Sequence, residues 1–392
     1  MRRLKARAFL RQPPVVGNPS LGGGEAGVAI AHAALERVRP GVGHEALAEK
    51  CLSRAAAALT TMPMGPMLDN GFTGIAWAFE YLAGNPDAPE EDDVNAGIDA
   101  VLADALSRRW TGSYELLAGL AGIGVYALER LPRPSGAGLV ELIVERLDEM
   151  AVKRPEGIAW RTPIWDRRKP GDQWNLGLAH GIPGVIGFLG RVCGAGVLAP
   201  AAPRLLEGAV DWLLAQELPR GSIACFPRAL PVRRKAEPER LAWCYGDAGV
   251  AAALLVAAKD AREKKWERHA IRIAMHAAQR DQETAMVVDA ALCHGAAGLG
   301  HIFHRMFRTT GEAALARASK QWFGRTLAMR GRRGGYGGFA GSLLDAEGKL
   351  GRGGAVDLIS GATGVALALA AAIGGDEDAG WDRTLMMSGN PV

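Results

Sequence analysis

The segment GDAGVAAALL, residues 246–255, places two glycines three residues apart and follows them with a run of small and aliphatic side chains. The same pattern occurs seven times, at spacings of 47, 48, 62, 65, 49 and 66 residues. Each spacing can hold a helix pair with its loops, which is typical of a repeat architecture. The seven copies begin at Gly24, Gly71, Gly119, Gly181, Gly246, Gly295 and Gly361.

Two kinds of helix alternate in this pattern. The segment after each glycine pair is apolar on nearly every side, which is typical of a fully buried helix. Amphipathic stretches lie between these segments, at residues 44–62, 92–109, 139–152, 203–218, 266–282 and 311–330. The alternation predicts an all-α fold, an α/α toroid in which seven inner helices form a closed ring inside about seven outer helices.

Composition places the ring in a globular protein. Of the 392 residues, 48% are hydrophobic and 22% charged, which permits a large core. Residues 1–18 form a basic tail in which Pro13 and Pro14 interrupt any apolar run, so we do not interpret them as a signal peptide. We expect residues 19–392 to form a single toroid domain.

The charge pattern and the cysteines exclude several classes of protein. The net charge of +4 is spread without a basic, aromatic stripe, which argues against nucleic-acid binding. No uncharged apolar stretch reaches the roughly 18 residues of a membrane span. Five cysteines without an export signal indicate reduced thiols that serve as metal ligands or nucleophiles. We therefore expect a cytoplasmic protein, with any membrane contact made peripherally through partners.

Three of the seven turns carry polar residues that packing does not require. They read LAHG at 178–181, WCYG at 243–246 and LCHG at 292–295. Equivalent positions in a ring converge at one end, which we call the mouth, where the inner helices begin. For the copies at Gly24 and Gly361 we expect the glycines to serve packing alone.

The cysteines and histidines of these turns predict a zinc site. Taken singly, such residues are usually part of a core, but their coincidence at one repeat position argues against that interpretation. Two cysteines and one histidine leave a fourth zinc position open for substrate. A metal held by two thiolates suits a third sulfur. Because no His-Glu-x-x-His motif occurs, zinc hydrolysis is less favoured.

The motifs NLGLAHGIPG, WCYGDAG and CHGAAGLGHIF, in this order, resemble those of the lanthionine synthetase C family. The resemblance covers nearly the whole chain, including YELLAGLAGIG and DLISGATGVALAL, and the length is similar to that of the stand-alone cyclase. It implies one catalytic Zn2+ and an all-helical toroid. The ligands implied are Cys244, Cys293 and His294.

The resemblance also implies four further site residues. His180 matches an acid/base residue near the metal, Arg240 an active-site arginine, and Tyr245 the tyrosine after a ligand cysteine. Tyr245 and Arg240 could instead be structural. Family members commonly have Tyr-Asp before the third turn, whereas this chain has Tyr114-Glu115, so Glu115 keeps the carboxylate on a side chain one methylene longer.

The implied reaction is the addition of peptide cysteine thiols to dehydroalanine or dehydrobutyrine, giving lanthionine rings in a ribosomal peptide. The partners implied are a dehydrated precursor peptide, a separate dehydratase and an exporter. Two long segments could hold the peptide. They are residues 153–175, with Trp160, Trp165 and Trp174, and residues 219–239, with Arg220, Arg228, Arg233 and Arg234.

Two alternatives stay open at this point, and two others are disfavoured. The protein could add glutathione to dehydroamino acids, or it could be a non-catalytic scaffold with a structural zinc. A zinc enzyme of the protein prenyltransferase type would need an aromatic-lined pocket, which an aromatic content of 6% disfavours. A toroidal glycosidase would need two opposed carboxylates, whereas the three turns with polar residues carry thiols and imidazoles.

Overall fold

The computed structural model describes residues 17–389 except 86, 88, 165–170, 233–239, 332–335, 345–349, 354 and 375–379. Fourteen α-helices and seven short strands form within the described residues. The helices are α1 (Glu25–Val38), α2 (His44–Ala58), α3 (Phe72–Ala83), α4 (Ala96–Leu106), α5 (Leu120–Glu129), α6 (Pro134–Met150), α7 (Ile182–Ala195), α8 (Ala202–Leu214), α9 (Asp247–Asp260), α10 (Lys264–Ala277), α11 (Gln282–Ala285), α12 (Ala296–Thr310), α13 (Ala313–Ala328) and α14 (Ala362–Gly374). The strands are β1 (Val152–Arg154), β2 (Gly157–Ala159), β3 (Thr162–Pro163), β4 (Asp172–Asn175), β5 (Ala229–Leu230), β6 (Gly341–Leu344) and β7 (Leu350–Gly353).

Helices α9 and α10 show why the sequence separates into two layers. In α9 every residue from 247 to 258 is buried, as its small and aliphatic composition predicts for an inner helix. In α10 the buried residues are Ala270, Ile273, Ala274 and Ala277, which share one face at spacings of three and four. The charged residues of α10 occupy the opposite face, so this helix covers the ring.

The second glycine of each Gly-x-x-Gly pair closes the ring. A Cβ at Gly74 would lie 2.8 Å from the Leu21 Cβ of the preceding turn, which is closer than side chains normally approach. In the same way, a Cβ at Gly27 in the first copy would lie 3.2 Å from the Leu358 Cβ of the seventh copy. The inner helices α1, α3, α5, α7, α9, α12 and α14 pack in chain order, and α14 packs against α1. The predicted α/α toroid is confirmed.

Six outer helices, α2, α4, α6, α8, α10 and α13, cover the ring in the described part of the chain, where about seven were expected. The chain after α14 does not form a further outer helix in the described residues. It forms a 3-10 turn at Trp381–Leu385, in which Asp382 is fully buried and accepts hydrogen bonds from His301 and Arg305 of α12. The C-terminal segment therefore fills space between inner helices instead of adding an outer one.

Described strands of the two long segments, residues 153–175 and 219–239, form one small sheet. Strand β4 of the first segment pairs antiparallel with β3 and with β5 of the second, with Trp174 opposite Leu230 and Asn175 opposite Ala229. Because β4 ends directly before the turn that carries His180, the sheet stands beside the mouth. Three residues named above, Trp165, Arg233 and Arg234, lie outside the described residues.

No helix in the described ranges combines the length and apolar character of a membrane span. The proposed division into a tail, residues 1–18, and one domain, residues 19–392, stays a prediction. Residues 1–16 lie outside the described residues.

Candidate metal and catalytic site

Backbone hydrogen bonds tie the turns of the mouth to one another. The N–H of Ala179 donates to the Cys244 carbonyl at 3.3 Å, and the N–H of Trp243 donates to the Cys293 carbonyl at 2.9 Å. The N–H of Cys293 in turn donates to Ile359, in the seventh turn, at 2.9 Å. The fourth, fifth and sixth turns are therefore held side by side, as the repeat pattern predicts.

The two cysteine thiols lie within hydrogen-bonding contact of each other. The hydrogen bond from Cys293 holds the pKa of Cys244 below its usual range, because it favours the Cys244 thiolate and the positive charges of His294 and His180 add to the effect. The same hydrogen bond, together with burial, raises the pKa of Cys293. A thiolate at Cys244 is the form that binds metals and reacts with electrophiles.

His294 is directed toward a carboxylate that sequence reasoning did not single out. Its Nε2 lies 3.2 Å from Asp289 Oδ2, and the two side chains are 17% and 3% exposed. The hydrogen bond to Asp289 raises the pKa of His294, which burial opposes. Cys244, Cys293 and His294 are not among the groups of described residues whose ligand atoms all lie within 4.8 Å of one another, so the structure brings the two thiols together without bringing His294 into the same spacing.

A different group of metal-ligand residue types does have that spacing. Among the described residues, Cys225, Asp247 and His276 bring their ligand atoms within 4.8 Å of one another, a spacing that could hold a metal ion. Both Asp247 oxygens already accept backbone hydrogen bonds, from Cys225 at 2.8 Å and Phe226 at 3.3 Å. Burial raises the pKa of Cys225 to about 12, which disfavours its thiolate. The sequence analysis did not bring these three residues together.

His180 is paired with Glu115. Its Nδ1 lies 3.0 Å from Glu115 Oε2, so the longer acid still reaches the histidine. Glu115 is itself fixed, because its two oxygens accept the backbone N–H groups of Leu117 at 3.0 Å and Ala118 at 2.7 Å. Burial lowers the pKa of His180, but the hydrogen bond and charge of Glu115 outweigh it, and the net shift is upward.

Tyr245 and Arg240 also lie at the mouth. The Tyr245 hydroxyl accepts a hydrogen bond from Asn175 Nδ2 at 3.2 Å, and its ring centroid is 6.1 Å from that of His180. The Arg228 guanidinium stacks over the Tyr245 ring at 4.2 Å. Arg240 is half-buried, and its charge is close enough to His294 to oppose protonation of that ring.

Sequence reasoning missed acidic residues in the same turns. Asp69 and Asn70 precede Gly71 at the two positions that Cys293 and His294 hold before Gly295. Burial and the nearby Asp357 carboxylate raise the pKa of Asp69 to about 6, although the charge of His180 acts in the opposite direction. Alignment of the seven copies is the sequence signal that places Asp69 at the position of Cys293.

Comparison with known proteins identifies the family and supports the fold. The model of the family described as "Lanthionine synthetase C-like protein" matches residues 15–386. The chain belongs to the lanthionine synthetase C-like family. This lanthionine synthetase C-like protein also resembles a solved structure, "Nisin cyclase", with a TM-score of 0.75 and 19% sequence identity. The match covers 97% of this chain and 94% of the other, which supports the toroid. No curated protein matches it by sequence.

Proposed function

We propose that the protein is a zinc-dependent lanthionine cyclase that adds cysteine thiols of a peptide to dehydroalanine or dehydrobutyrine in the same peptide. One observation carries this proposal, the convergence of Cys244, Cys293, His294 and His180 on adjacent turns at one mouth. Membership of the lanthionine synthetase C-like family supports it.

Three residues of the mouth have the donor set that zinc takes at a catalytic site. Cys244 and Cys293 supply two sulfurs already in contact, and His294 supplies an imidazole whose other nitrogen faces Asp289. We assign the metal to this group instead of to Cys225, Asp247 and His276, because the Asp247 oxygens already hold two backbone N–H groups. Zinc bound at the mouth would keep a substrate thiol deprotonated at neutral pH.

Ring closure needs groups that stabilise charge and deliver a proton. The substrate sulfur bonds to the β-carbon, and the double-bond electrons move toward the α-carbon and the amide oxygen. Arg240 or protonated His180 would stabilise the negative charge on that oxygen. His180, oriented through Nδ1 by Glu115, would deliver a proton to the α-carbon from Nε2. The thiol has lost one proton and the product gains one, so the mass does not change.

The small sheet beside the mouth would hold the peptide. The guanidinium groups of Arg154 and Arg161 lie 5.4 and 5.7 Å from the ring centre of Trp174, on β4. This arrangement presents cationic and aromatic surface next to the turn of His180.

A separate dehydratase would supply the dehydrated residues, and an exporter would remove the product.

The proposal is tested with a dehydrated peptide that contains cysteine, using mass spectrometry after thiol alkylation. We expect the zinc-loaded protein to remove free thiols without any change in peptide mass. Thiol loss only on addition of glutathione, with the matching mass increase, would support addition of glutathione instead. Tightly bound zinc with no reaction in either assay would support a scaffold.

A further inference from the structure

We propose that Asp289 is a positioning residue that fixes the proton of His294 on Nε2 and so presents Nδ1 to the metal. The proposal rests on zinc binding at the mouth, as proposed above. Asp289 itself would touch neither metal nor substrate. The argument begins with the place of Asp289 in the repeat.

In four of the seven turns, the residue six positions before the first glycine of the Gly-x-x-Gly pair makes the same side-chain hydrogen bond. A side-chain oxygen there accepts the backbone N–H two residues later, which is a turn common for Asn, Asp and Ser. The pairs are Asn18 with Ser20 at 3.0 Å, Ser113 with Glu115 at 3.3 Å, Asn175 with Gly177 at 2.8 Å, and Asp289 with Ala291 at 3.0 Å. Asparagine and serine therefore suffice for the turn, and a carboxylate at 289 is not required by it.

The second oxygen of Asp289 has a separate use. Oδ1 holds the turn, while Oδ2 lies 3.2 Å from His294 Nε2. A carboxylate that is 3% exposed is costly to bury unless it is paired, and the His294 ring, at ion-pair distance, is placed to offset that cost. Asn175 divides its side chain in the same manner, with Oδ1 in the turn and Nδ2 on the Tyr245 hydroxyl.

This pairing matches the chemistry of a histidine ligand. A carboxylate that accepts the N–H of one ring nitrogen fixes the tautomer, orients the ring and makes the other nitrogen a better ligand. Asparagine at 289 would keep an oxygen for Ala291 but turn an N–H group toward Nε2, so donor would face donor. Serine would keep the turn, as Ser113 does, and would not reach His294.

The test measures zinc affinity by competition with a chromogenic chelator in the full-length protein. We expect Asp289→Asn and Asp289→Ser each to bind zinc about 10–100-fold more weakly than the unmodified chain. The matched control is Asp281→Asn, because the exposed Asp281 also accepts one backbone N–H, from Thr284 at 2.8 Å. It should leave zinc affinity unchanged.

Unfolding of the zinc-free proteins separates positioning from loss of the fold. Zinc-free Asp289→Asn should unfold at the temperature of the zinc-free parent, since the turn bond is kept. Zinc affinity within about twofold of the control in both variants would overturn the proposal. Absence of zinc from the parent protein would instead defeat the proposed function.

Discussion

Replacement of Cys293 by alanine is expected to remove zinc from the purified protein and to abolish ring closure. Loss of a partner that orients a ligand costs about 10–100-fold in metal affinity, so loss of a ligand should cost more. Cys293 is buried and its thiol contacts Cys244, so the variant leaves one thiol where the proposed site needs two. Metal content by elemental analysis and cyclisation by thiol alkylation measure the two effects.

The matched control is Cys225→Ala. It removes an equally buried thiol, but from the group with Asp247 and His276. If zinc binds at the mouth, Cys225→Ala retains both the metal and cyclisation. Metal loss in Cys225→Ala with retention in Cys293→Ala would move the metal to the other group and remove the basis of the proposed mechanism.

The ring itself could be predicted from the sequence because its determinants are local and repeated. An all-round apolar run such as 248–258 marks an inner helix whatever it packs against, and apolar residues at spacings of three and four mark an outer one. Glycine in every copy also indicated close packing between neighbours. These signals need no knowledge of distant residues.

The other features depend on residues far apart in the chain. Asp382 is buried only because His301 and Arg305, some eighty positions earlier, meet it, and the C-terminal segment therefore turns inward. Asp247 lies 22 positions after Cys225, and no motif connects them. The proposed role of Asp289 likewise could not be predicted from the sequence, because it depends on the orientation of the His294 ring. Such contacts appear only after the ring has closed.

The second large effect is expected for His180→Phe, which should slow cyclisation by about 10²–10⁴-fold while zinc stays bound. Phenylalanine keeps a ring beside Tyr245 but cannot carry a proton. The Glu115 carboxylate retains its bonds to Leu117 and Ala118, so the turn should persist. Initial rates from alkylation counts, with metal content measured on the same sample, give the comparison.

Glu115→Asp supplies the control, since it keeps a carboxylate in the third turn and returns the Tyr-Asp pair common in the family. It should retain most of the activity if a carboxylate near His180 Nδ1 is what matters.

A rate for His180→Phe close to that of the parent would show that another group protonates the α-carbon. Asp69 would then be the next candidate, because burial and Asp357 raise its pKa to about 6 and keep part of it protonated near neutral pH. The pair of variants therefore separates loss of the proton donor from loss of the metal, which Cys293→Ala alone cannot do.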